Sequence, residues 1–335
     1  MRSVDPNIQP EAQRLLDYLE EIRGKKILLG QHTQSIPQEE LQYIRSVTGK
    51  LPALCGFELL GYSPNIRPDL SGEECMQEVR AAQGTLKKAW DWAKLGGIIT
   101  FTWHWFSPLG GRDKSFFSVN TDFSAEKAVT PGTPENTALL SDLDYMAGLL
   151  RPFCDEHIPI LWRPFHEAEG DWFWWGRDGA EPGKKLFRLM FDRFVNKHGL
   201  HNLIWVHNSP KAENYPGDDV VDVISRDLYP PEHQHTDLAH ECDELRTVTT
   251  ADKLCAVGEI GTIPDVPALT EHGVPFCWFM TWSHEFGGSD KFTSQEELRR
   301  AYSCGNAVTL DRLPEIYKAI PHKDCAHIAQ SDFSS

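Results

Sequence analysis

Short apolar runs recur along the chain, each followed by an amphipathic stretch. Eight runs read as strands: Ile27–Thr33, Leu51–Leu59, Gly97–His104, Ile158–Glu167, Asn202–Asn208, Val220–Tyr229, Leu254–Gly261 and Pro275–Trp282. Between them, Gln38–Val47, Glu73–Leu95, Asn136–Glu156, Glu181–Lys197 and Leu238–Thr250 show helical spacing. Strands that alternate with helices pair in parallel through crossovers. Near-continuous apolarity within each run fits strands buried on both faces. Eight such units predict an α/β fold, a closed (β/α)8 (TIM) barrel with the catalytic domain over 1–320 and a C-terminal tail over 321–335. An open doubly wound sheet is the rival, but no G-x-G-x-x-G or P-loop follows the first strand. The polar segment Ser107–Pro134 after the third strand is long enough to be a functional loop. Its Phe116, Phe117 and Phe123, with Phe106 just before it, either line a cleft or pin the loop down.

Composition narrows the function. A net charge of −16 disfavours nucleic acid and anionic membrane as partners, and no apolar run is long enough to span a bilayer. The first 30 residues lack a basic start followed by an apolar stretch, so no signal peptide is visible; a mature secreted chain would look the same. Of the eleven tryptophans, Trp103 and Trp105 sit together, as do Trp172, Trp174 and Trp175, which suits either a core or a surface for stacking sugars. None of the eight cysteines forms a C-x-x-C pair, so a zinc or redox motif is not expected. Cys304 and Cys325 are the one pair suggested for a disulfide. His233, Gln234 and His235 with nearby His240 raise a metal reading, but their spacing fits no zinc signature. No metal and no cofactor is expected.

Barrel enzymes carry their chemistry at the C-terminal strand ends. Those ends hold His32, Glu58, His104, Arg163, His166, Glu167, His207, Asn208, Asp227, Tyr229, Glu259 and Trp282, a costly set to bury unless it works or pairs. Glu167 ends the fourth strand and Glu259 the seventh, so the two carboxylates can face each other across the mouth, as glycoside hydrolysis requires. If the run Ile158–Glu167 alternates faces, residues 163, 165 and 167 point the same way, and Arg163 reaches Glu259. The bland alternative is that Arg163 braces the barrel through Glu58 or Asp227.

The segment Arg163-Pro164-Phe165-His166-Glu167, followed by Gly170-Asp171-Trp172-Phe173-Trp174-Trp175-Gly176, resembles the acid/base motif of glycoside hydrolase family 26, whose best-known members are β-mannanases. Gly258-Glu259-Ile260-Gly261 is similar to that family's nucleophile strand. The resemblance implies a retaining hydrolase of β-1,4-mannosidic bonds, acting on β-mannan or manno-oligosaccharide, with Glu167 as acid/base and Glu259 as nucleophile about 5–5.5 Å apart. By the same resemblance His166 lies near the sugar 2-OH, Arg163 holds the nucleophile ionised and Tyr229 hydrogen-bonds it. His104 and Trp282 form the glycone subsite, and Trp172 lies on the leaving-group side. Pro230 and Pro231 depart from the family pattern after Tyr229. Alternatives are a family member acting on mixed-linkage glucan or β-1,3-xylan, and a non-catalytic carbohydrate-binding barrel.

Overall fold

The computed structural model describes residues 1–34 and 37–316. Eight parallel strands form the predicted barrel: β1 (Ile27–Thr33), β2 (Leu54–Glu58), β3 (Ile98–Thr102), β4 (Ile160–Trp162), β5 (Leu203–Asn208), β6 (Val223–Leu228), β7 (Leu254–Ile260) and β8 (Phe276–Thr281). They pair in chain order, and β1 closes the ring by pairing with both β8 and β2. A two-residue strand, β9 (Ala307–Val308), adds to the start of β1. The expected tail 321–335, including Cys325, lies outside the described residues; Cys304 has no disulfide partner among the described residues.

The strands are apolar throughout because both faces are covered, by the interior inside and by helices outside. Inside the barrel, space is tight enough to dictate residue type. A Cβ on Gly56 would sit 2.3 Å from Met280 Sδ and 2.8 Å from the His32 ring, so glycine on β2 makes room for two larger interior side chains. One helix absent from the sequence reading, Pro10–Ile22, contacts both β5 and β8 and therefore crosses the N-terminal mouth. Its Leu15, Leu16, Leu19 and Ile22 are buried there. The stretch expected as one helix over Glu73–Leu95 is two, Glu73–Ala82 and Thr85–Lys94, broken at Gly84, whose φ of 85° is left-handed.

Strand β4 stops five residues short of its predicted end. Residues 163–167 form a turn in which Phe165 (φ 51°) and Glu167 (φ 53°) take left-handed backbone. Alternation therefore fails: Phe165 turns away from the mouth and packs on Trp105, Trp174 and Trp175. Between β6 and β7 the register shifts at Arg226/Asp227, which sets Asp227 directly opposite Glu259. Such irregularities re-aim side chains beside active sites.

Candidate active site

The predicted residues meet at the C-terminal mouth, where one carboxylate oxygen each from Glu167, Asp227 and Glu259 lie within 4.8 Å of one another. The cation among them is Arg163, 2% exposed. Its guanidinium donates to Glu259 and, at 3.0 Å, to Asp227, with a third bond to Thr102 Oγ1 at 2.9 Å. Burial disfavours its charge, but Asp227 and Glu259 more than offset that, so it remains a guanidinium. Both sequence expectations for Arg163 thus hold at once: it pairs with Glu259 and braces Asp227. Glu58, the other suggested partner, is engaged elsewhere.

Glu259 is buried, and its second oxygen accepts from Tyr229 Oη at 2.6 Å. Burial and then the Glu259 charge raise the phenol well above its usual range, so Tyr229 stays a donor. Pro230 and Pro231 do not displace it; their carbonyls accept from Thr262 Oγ1. Glu167 is more open. Among the described residues its carboxylate accepts only from the indole of Trp172, at 2.7 Å, and that ring is 44% exposed. Burial, then repulsion from Glu259, raises the Glu167 pKa above the usual carboxyl range; the Trp172 bond and Arg163 oppose this. Two carboxyls in contrasting surroundings, one held by a cation and a phenol and the other left protonatable, can divide the roles of nucleophile and proton donor.

Beside them, His104 Nδ1 meets Glu58 Oε2 at 2.7 Å, and the other Glu58 oxygen accepts the backbone N–H of His104 and of Leu60. Burial opposes charge on His104, but Glu58 outweighs it and the pKa is raised. The His166 ring stands edge-on to His104 at 4.7 Å, and burial drives its pKa well down, so it is neutral. Trp282 stacks on His32 at 4.1 Å and 18°. The loop phenylalanines do both jobs open to them: Phe106, Phe116 and Phe123 are buried, and Phe116 also abuts His104. Trp103, Trp105, Trp174 and Trp175 are core, leaving Trp172 as the exposed member of the clusters.

Other strand-end candidates fall away. His207 packs outward on Phe187 and Tyr215, and burial lowers its pKa to about 3. Of the histidine group, His235 Nδ1 faces the Ile263 carbonyl and His240 is exposed beside Glu244. Among the described residues the one group spaced to hold a metal is the carboxylate trio, where Arg163 already supplies the positive charge. A cavity of about 510 Å³ lined by Arg23, Arg246, Lys253 and Cys255 lies at the other end of the barrel, away from this chemistry. The sequence pointed to no role for Asn208, although it was visible as the polar end of an apolar strand, and offered Glu58 only as a partner for Arg163, not for His104.

The sequence matches Glycosyl hydrolase family 26 over residues 4–311. The chain belongs to this family. A curated relative, the mannan endo-1,4-beta-mannosidase of Thermothelomyces thermophilus, is 36% identical over 318 residues, which is 92% of this chain. The chain spans 62% of that relative's length. Among solved structures, the β-mannanase from a symbiotic protist of the termite Reticulitermes speratus, complexed with gluco-manno-oligosaccharide, superposes with a TM-score of 0.84 at 32% identity, covering 93% of this chain and 97% of the other. The β-(1,4)-mannanase of Podospora anserina gives 0.83 at 32% identity, covering 93% and 68%. Membership of Glycosyl hydrolase family 26 accords with the closed eight-stranded barrel.

Proposed function

We propose that this protein is a retaining endo-β-1,4-mannanase acting on mannan, glucomannan or manno-oligosaccharides, with Glu259 as nucleophile and Glu167 as acid/base. The observation that carries the reading is the carboxylate pair at the mouth, with oxygens within 4.8 Å. That gap fits direct attack on the anomeric carbon; inversion needs about 6.5–9.5 Å to seat a water. The substrate class is supported by the mannanase names of the relatives.

In this mechanism Glu259 attacks the anomeric carbon while Glu167 protonates the departing glycosidic oxygen. Glu167 then removes a proton from water as the water oxygen displaces Glu259. Arg163 and Tyr229 orient Glu259 for attack. The neutral imidazole of His166 and the Glu58-backed His104 face the sugar bound in the cleft. Trp282, braced by His32, forms the floor of the glycone subsite, and Trp172 flanks the leaving group.

The test is a reducing-sugar assay on mannan, barley glucan and β-1,3-xylan, repeated with Glu259→Ala and Glu167→Ala. Mannan should be the preferred substrate. Glu259→Ala should lose on the order of 10⁴-fold or more on every substrate. Glu167→Ala should retain its first step on aryl mannosides with good leaving groups, with azide rescuing the second. Azide rescue confined to Glu259→Ala, with a product of retained configuration, would mean the roles are exchanged.

A further inference from the structure

Glu167 holds a backbone conformation that L-residues other than Asn, Asp and Gly seldom adopt, and so does Phe165 two residues earlier. Strain of this kind persists at functional sites only where neighbours over-determine it. Three side chains bind this turn through its backbone. Trp175 Nε1 donates to the His166 carbonyl at 2.9 Å, and Asn214 Nδ2 donates to the Ala168 carbonyl at 2.9 Å. The third is Asn208, at the end of β5 and 1% exposed. Its Oδ1 accepts the backbone N–H of Glu167 itself at 2.8 Å.

Asn208 differs from the other two in what its far side holds. Its Nδ2 donates to Asp227 Oδ1 at 2.7 Å and to Ser225 Oγ at 3.0 Å. Asp227 in turn takes the Arg163 guanidinium that also binds Glu259. The amide orientation is dictated by its partners, since a backbone N–H can only donate and a carboxylate accepts. One buried amide therefore spans from the backbone of one glutamate to the ion-pair cluster of the other. The sequence leaves room for this link: a Cβ on Gly258, the residue before Glu259, would lie 2.6 Å from both Asn208 Nδ2 and Asp227 Oδ1.

We propose that Asn208 is a positioning residue for proton transfer, holding Glu167 on its left-handed backbone at a fixed place relative to the Arg163–Asp227–Glu259 cluster. The inference rests on the reading of Glu167 as acid/base. Without the amide, the Glu167 N–H loses its acceptor and the turn is free to relax, which swings the carboxyl away from the glycosidic oxygen. The nucleophile keeps Arg163 and Tyr229. The defect should therefore fall on steps that move a proton and spare attack by Glu259.

The experiment compares wild type and Asn208→Ala on mannotetraose and on a dinitrophenyl β-mannobioside. Oligosaccharide kcat/KM should fall roughly 10- to 100-fold, the scale of a misplacement of about 1 Å. For the aryl substrate, whose leaving group needs no proton, kcat/KM should stay close to wild type. Its kcat and KM should fall together as glycosyl-enzyme accumulates, and azide should restore kcat. Equal losses on both substrates without azide rescue, or no loss on either, would overturn the proposal. If Asn208→Ala does not fold, as judged by its melting transition, Asn208→Ser is read in the same way, its hydroxyl being too short to reach the Glu167 N–H. Glu167→Ala serves as the reference: if it lacks leaving-group dependence, the acid/base assignment has failed, and that failure is separate from the one tested for Asn208.

Discussion

The two sides of the barrel mouth solve opposite problems. On the β6–β7 side, Glu259 is buried in strand beside a register shift, with a guanidinium on one oxygen and a phenol on the other. On the β4 side, Glu167 sits on a left-handed turn, partly exposed, with an indole N–H as its one side-chain donor among the described residues. The first environment fixes a charge in place; charge-assisted bonds to both oxygens leave it little freedom. The second keeps a proton within reach by burying the carboxyl near a like charge. A retaining hydrolase needs this asymmetry, because one carboxylate must act as a nucleophile and the other must gain and lose a proton in each turnover. Burial and ion pairing serve the first need, and a partly exposed turn with an indole donor serves the second.

The contrast breaks most completely at Arg163. Its removal leaves Asp227 and Glu259 buried and facing each other without a cation. Stranding a buried charge in this way costs about 3–5 kcal/mol. Arg163→Ala should therefore lose both kcat/KM, by several orders of magnitude, and a substantial part of its melting temperature, because the same side chain serves nucleophile and barrel. Arg163→Lys should recover more of the stability than of the activity, since a single ammonium cannot reproduce a fork that bonds two carboxylates and Thr102. Calorimetry and kinetics on one preparation decide it: activity lost with stability intact would place Arg163 on Glu259 alone, and the reverse on Asp227 alone.

Tyr229→Phe tests the same side more gently. It removes one bond to a charged group and leaves Arg163, so kcat/KM should fall roughly 10- to 100-fold, the equivalent of about 1.5–3 kcal/mol. The loss should be similar for good and poor leaving groups, unlike that expected from changes on the β4 side. A loss confined to poor leaving groups would mean that Tyr229 acts on Glu167 and that the two sides are less separate than their contacts imply.

How legible this was in the sequence differs between the sides. Apolar runs located all eight strands, and β1 at its observed bounds, because burial on both faces leaves an unmistakable pattern. The pairing of Arg163 with Glu259 was anticipated by assuming alternation through Glu167, yet β4 ends at Trp162 and Phe165 turns to the tryptophan core. Arg163 reaches Glu259 as the first residue past the strand, where alternation no longer governs the turn that follows. Asp227 and Glu259 were read as alternative partners of Arg163; that it holds both at once could not be read, since their juxtaposition depends on a register shift at Arg226/Asp227 that carries no sequence mark. Asn208 was visible as a polar end to an apolar strand, but its partner is a backbone N–H on another element, and backbone groups look alike in a sequence. The break at Gly84 is a local case of the same kind: amphipathic spacing continues across it, and the glycine alone hinted that the helix stops.

The smallest expected effect is the most specific to the β4 side. Trp172 presents a half-exposed ring and donates its N–H to Glu167; the proposed function sets that ring beside the leaving group, and two substitutions separate these jobs. A donor aimed at a carboxylate favours the charged form and so lowers its pKa. In Trp172→Phe the ring face remains and the donor is gone. Burial and the charges of Glu259 and Glu169 then act on Glu167 against Arg163 alone. Glu167 should hold its proton to higher pH, so the alkaline limb of the kcat/KM profile on oligosaccharide should move upward with KM little changed. Trp172→Ala also loses the stacking face, and its KM should rise roughly 2- to 10-fold, the scale of one aromatic contact. Because the residue is exposed, neither change should cost much stability. The sign of the limb shift carries the argument: an unmoved limb in Trp172→Phe would mean the indole is only a sugar platform, and a downward one would mean that it stabilises protonated Glu167.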